Sequence, residues 1–152
     1  MLRKSLKYAG AVLLAGFGVI QFYQPDKSNP RLDPAATFEA VAHPATEVIS
    51  VIDRACRDCH SNSTVWPWYS RVAPVSWLIA DDVRKGRAHL NFSEWDRLSP
   101  EAAKTRLNKA CEELKDGGMP LWQYRLIHSE ARLSEQEIDN FCKAVSRVEL
   151  PR

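Results

Sequence analysis

The stretch Cys56-Arg57-Asp58-Cys59-His60 constrains this chain more than any other, because it sets two thiols three residues apart and an imidazole directly after the second. On a helix, residues three and four apart are neighbours, so all three side chains project from one surface. Three chemistries use paired thiols at this spacing. A redox dithiol of the thioredoxin kind wants a strand leading into the helix. A structural zinc site wants a second close ligand pair. Covalent attachment of a c-type haem needs both thiols, which add to the two vinyl groups, and the adjacent imidazole, which binds iron axially.

The rest of the chain weighs on this choice. No segment alternates apolar and polar residues as a half-buried strand does, and the remaining cysteines, Cys111 and Cys142, stand 31 apart in separate helical segments. The expected cofactor is therefore one haem c, linked through Cys56 and Cys59, with His60 as proximal iron ligand. Met119 is the expected distal ligand: it is the sole methionine after the initiator, and it lies in Gly117-Gly118-Met119-Pro120. Glycines permit close backbone approach, and a proline stiffens the turn that presents the thioether. His128 is the rival ligand, His89 reads as a surface or capping residue, and His43 as a solvated one. An open iron site is a further alternative. Trp66, Trp68 and Tyr69, with Trp77, Trp95 and Trp122, are expected to wall the macrocycle. Arg71, Arg84 and Arg87 are candidates for a propionate. For Cys111 and Cys142 the sequence leaves a disulfide and two buried free thiols equally open.

Four helical segments carry these residues. They run from Thr46 to His60, from Pro74 with Trp77, Leu78 and Val83 before the polar Arg84-Lys85-Gly86-Arg87, from Ser99 to Gly117, and from Ser134 onward. The third has a serine cap followed by proline, and the fourth a Ser134/Glu137 capping box with a Leu133/Ile138 staple. Between them, Trp122 to Ile127 reads as a short helical turn. Residues 1–24 form a separate unit: Arg3, Lys4 and Lys7 precede an uncharged run from Tyr8 to Gln24, about 26 Å as a helix, the layout of a signal anchor or transmembrane helix. Residues 25–44, with four prolines, read as a tether, and 45–150 as the haem domain. Without the first 24 residues the chain holds 18 basic and 19 acidic side chains, a balance that excludes a nucleic-acid partner.

The run from Cys56 to Trp95 and the block from Gly117 to Ser134 resemble the bacterial haem-binding domain proteins, small membrane-anchored chains with a single C-x-x-C-H, over about residues 35–148. The resemblance implies a helical, cytochrome c-like domain wrapped around one haem, with Cys56, Cys59 and His60 in the roles given above. It also places Met119 at the family's Met-Pro position. The expected architecture is thus all-α, preceded by a single membrane helix. The expected function is single-electron transfer, not enzyme catalysis, by a monohaem cytochrome domain. It would be held on the bacterial cytoplasmic membrane, facing the periplasm and meeting a redox protein partner. The alternative is a haem-based gas or redox sensor whose sixth ligand is displaceable or absent.

Overall fold

The computed structural model describes residues 2–148, and all regular structure among them is helical. Residue 1 and residues 149 and 150, the outer limits expected for the anchor and for the haem domain, lie outside the described residues. Helix α1 spans Leu2–Ile20. It corrects the expected membrane anchor: the helix stops at Ile20 instead of Gln24, and its first turns carry Arg3, Lys4 and Lys7. Its uncharged part, 13 residues from Tyr8, measures about 20 Å against a hydrocarbon core of about 30 Å. No helix among the described residues is long and apolar enough to cross a membrane. The single-pass placement in the bacterial cytoplasmic membrane, the membrane as partner and the periplasmic orientation derived from that anchor are overturned with it.

After α1 the chain does not leave the body of the protein. Gln21 donates to the Ala73 carbonyl and accepts from the Ala73 N–H, and the Trp77 indole donates to the Tyr23 carbonyl. Asn29 donates to the Thr64 carbonyl. A 3₁₀ turn at Pro34–Ala36 leads to α2, Phe38–Ala42, whose Phe38 is fully buried. Residues 25–44 thus run along the domain and contribute to its core.

The core is aromatic at its centre. Phe38 meets Trp95 edge-on at 4.7 Å, and Phe92 stacks on Trp95 at 5.8 Å. Trp95, expected against a macrocycle, is instead enclosed here. Around it pack α3, Thr46–Ala55, through Val48, Val51 and Ile52; α6, Pro100–Lys115, through Ala103, Leu107 and Leu114; and α8, Glu135–Val145, through Phe141 and Val145. The caps are those the sequence encodes. Ser99 accepts from the Ala102 N–H, and Ser134 and Glu137 form a complete capping box. Cys111 and Cys142 form a disulfide with Cα atoms 5.6 Å apart, joining α6 to α8. This clamp lies outside the Cys56-to-His60 motif, whose two thiols are free.

The remaining elements carry the motif. The segment expected as one helix from Thr46 to His60 breaks at Cys56, whose backbone (φ −127°, ψ −38°) is not helical, and α4 follows at Arg57–His60. Helix α5, Val75–His89, packs against α4, and α7 spans Trp122–Ile127. Leu78 on α5 is exposed, and the buried face of this helix is made by Ser76, Val83 and Gly86.

Candidate haem site

The break at Cys56 folds the motif into a tight turn. The Cys56 carbonyl accepts from both the Cys59 N–H (3.2 Å) and the His60 N–H (2.9 Å), so the two cysteines and the histidine are held by one oxygen. Arg57 pins this turn from outside, pairing with Glu39 on α2 and Asp53 on α3. Both thiols are half-buried, and burial pushes each up to about 12. A redox dithiol requires the opposite shift, because the thiolate is the nucleophile. Among the described residues there is also no strand, and no group of three or more His, Cys, Asp or Glu side chains placed to hold a metal ion. Neither the dithiol nor the zinc reading finds its supporting structure.

His60 is fixed at two points by the segment after α5. Its Nδ1 donates to the Leu90 carbonyl at 2.9 Å, and its own carbonyl accepts from the Phe92 N–H at 2.8 Å. Proton placement follows from the first contact: Nδ1 carries the hydrogen, so Nε2 holds the lone pair. Burial lowers the affinity of the ring for a second proton, against the opposing effect of the Leu90 and Gly86 backbone. The imidazole is therefore kept neutral and oriented, as a metal ligand must be.

Asp58, between the thiols, organises the surroundings. Its carbonyl accepts from the Thr64 hydroxyl at 2.7 Å, one carboxylate oxygen accepts from the Val65 N–H, and the other from the Tyr124 hydroxyl at 2.8 Å. Arg87 closes the loop after the motif, donating to the Ser61 carbonyl, the Thr64 hydroxyl and the Asn29 side chain. It is consumed by these contacts, as Arg84 is by Asp81; Arg71 remains exposed.

Met119 is half-buried after Gly117, which ends α6 with a φ of +71° suited to glycine, and its N–H donates to the Glu113 carbonyl. The structure does not join Met119 directly to the motif; the link runs through Tyr124, five residues on. His128 is committed elsewhere: Nε2 accepts from the Tyr69 hydroxyl (2.6 Å) and Nδ1 meets Glu130 (2.8 Å). His43 caps α2 in the left-handed region, and His89 is exposed at the end of α5.

A flat apolar ligand also needs an apolar surface, and the structure shows one. Among described residues beyond Leu32, every large exposed hydrophobic side chain lies in 65–78 or 122–127: Val65, Trp68, Val75 and Leu78, then Trp122, Leu126 and Ile127. Trp68 is 78% exposed and Trp122 65%. The two segments are tied to each other by Tyr69 and His128, and to the motif by Tyr124 and Asp58. Uncovered apolar side chains gathered on linked segments mark a binding surface.

A family model described as the haem-binding domain matches residues 15–146 of this sequence. The chain belongs to the haem-binding domain family. No curated protein and no solved structure matches it. The matched residues include the Cys56-to-His60 turn, with its neutral, oriented imidazole and two free thiols, and the segments that carry the uncovered aromatic side chains. Sequence reasoning missed Leu90 and Asp58 as supporting residues. Asp58 had a signal, its place between the cysteines; a backbone carbonyl at Leu90 has none.

Proposed function

We propose that this chain carries one haem covalently, through thioethers from Cys56 and Cys59, with His60 and Met119 as axial ligands, and passes single electrons to and from a protein partner. The observation that carries the reading is the hydrogen bond from His60 Nδ1 to the Leu90 carbonyl, which leaves the lone pair on Nε2 of a histidine that directly follows two unpaired cysteines in one turn. When bound, the haem supplies the reversible one-electron couple of its iron. The chain's own part is positional. Cys56 and Cys59 would hold the group as thioethers, each S–H adding across a vinyl group so that sulfur would go to one carbon and hydrogen to the other. Leu90 and Phe92 hold the His60 ring and backbone, so the imidazole has little freedom to reorient between oxidation states. Trp68, Leu78, Trp122 and Leu126 offer apolar cover that limits water.

The test is expression with a haem-attachment system, followed by intact-mass measurement and the alkaline pyridine haemochrome spectrum. The expected result is a mass increase of one haem group in the wild type and none in the Cys56→Ala, Cys59→Ala double variant. A pigment extracted by acidified acetone overturns covalent attachment. A second reading, a sensor whose Met119 ligand is displaced by a diatomic gas, draws on one observation: α7, which follows Met119, buries no residue. Rapid carbon monoxide binding to the reduced wild type favours the sensor; failure to bind favours the carrier.

A further inference from the structure

No residue of helix α7 is fully buried, Tyr124 and Arg125 being half-buried, and polar side-chain contacts carry its connection to the motif. Two phenols make that connection. Tyr124 Oη donates to Asp58 Oδ2 at 2.8 Å, joining α7 to the residue between the two cysteines. Tyr69 Oη donates to His128 Nε2 at 2.6 Å, joining the turn Trp68–Arg71 to the end of α7. His128 also stacks on the Tyr124 ring, with centroids 4.0 Å apart and planes 11° from parallel. Glu130 accepts from Nδ1 on the far side and completes the orientation of the imidazole. Burial, and then the Asp58 carboxylate, raise the affinity of the Tyr124 phenol for its proton; burial does the same for Tyr69, so both remain donors.

We propose that Tyr124 and Tyr69 are positioning residues: together they latch the segment 119–131 onto the Cys56-to-His60 turn and so set where Met119 is presented. The inference rests on the reading of Met119 as the distal ligand. Upstream the segment is anchored by the Met119 N–H on the Glu113 carbonyl, and downstream by Arg54, which donates to the Glu130 carbonyl. Between these anchors Tyr124 links the segment to the motif and Tyr69 links it to the turn Trp68–Arg71, and each joins parts of the chain more than 50 residues apart. A segment held this way opens locally when a link is removed, without unfolding the core.

The experiment compares haem-loaded full-length wild type with Tyr124→Phe, Tyr69→Phe and, as control, Tyr8→Phe on the exposed face of α1. Two quantities are read in each: thermal loss of the far-red charge-transfer band of methionine-ligated ferric haem, and hydrogen exchange of amides 119–128. Loss of one latch hydrogen bond is expected to lower the equilibrium constant for the methionine-bound form about five-fold and to speed exchange in 119–128 by a similar factor. The far-UV melting curve and the control should stay at wild-type values. An unchanged band and unchanged exchange in both latch variants overturn the latch while leaving Met119 as ligand. A wild type without the band overturns Met119 instead, and exchange in 119–128 then decides the latch alone. Should Tyr124→Phe fail to fold, Tyr69→Phe decides by the same readouts.

Discussion

A Cβ placed on Gly86 would stand 2.5 Å from the carbonyl oxygen of Cys59. Helix α5 therefore crosses the motif at a distance that only glycine allows, and the contact is with backbone, which cannot rotate away. Alanine at an ordinary helix site would stabilise by about 1 kcal/mol. Gly86→Ala is expected to do the reverse, costing about 1–3 kcal/mol through displacement of α4 or α5. Urea unfolding of the full chain measures the cost, and haem bound per chain should fall with it. A neutral or stabilising result would show that the two helices are not held this close.

Arg87 ties α5 to two other parts of the chain, Asn29 and the loop that holds the Ser61 carbonyl and Thr64. Its removal takes this donor from the part-buried Ser61 carbonyl and Thr64 hydroxyl, while the exposed Asn29 keeps the Trp66 indole. Arg87→Ala should destabilise by about 2–3 kcal/mol, and Arg87→Lys should recover little, because a single ammonium cannot reproduce the forked geometry. Chemical denaturation of the two variants in parallel checks both statements.

The Cys111–Cys142 disulfide closes a loop across 31 residues between α6 and α8. Loop-closure arguments give it about 3–4 kcal/mol. The Cys111→Ser, Cys142→Ser variant should melt at a lower temperature yet keep any haem covalently attached, since the bridge lies apart from the motif. Differential scanning calorimetry and intact mass separate the two outcomes.

Glu137 is held below the usual carboxylate range, first by the Ser134 backbone, then by the Ser134 hydroxyl and by Arg54. A carboxylate whose folded pKa is depressed contributes stability that is present above its unfolded value, about 4.3, and is lost as pH falls through the folded one. Stability of the chain should accordingly drop below about pH 4.3. Glu137→Gln should reduce that acid dependence and destabilise at neutral pH. Ser134→Ala, which removes the cap itself, should cost about 1 kcal/mol. Denaturant midpoints at several pH values test all three.

Much of the helical framework is legible because its signals are local. Ser99 with Pro100, and Ser134 with Glu137, act within one turn, and the structure shows both helices starting where these residues place them. Trp122 to Ile127 is helical over the expected range. The errors share a cause. The uncharged run after Lys7 looks long enough for a membrane when counted to Gln24, but Gln21 is drawn into hydrogen bonds with Ala73, 52 residues away, and the helix ends before it. Trp95 resembles the other tryptophans in sequence, yet Phe38 and Phe92 enclose it. Ala73 lies far along the chain from Gln21, as Phe38 does from Trp95, and periodicity reports only neighbours.

What the sequence by itself determined is the chemistry within five consecutive residues: thiols at 56 and 59 and an imidazole at 60, whose spacing is covalent and needs no partner. What only the tertiary structure decided is the state of those groups. The Leu90 carbonyl selects which nitrogen of His60 bears the proton, Gly86 admits α5 against Cys59, and Tyr124 reaches Asp58 from 66 residues away. Proton position, burial and approach depend on atoms brought near by folding, and a linear order of residues does not contain those distances.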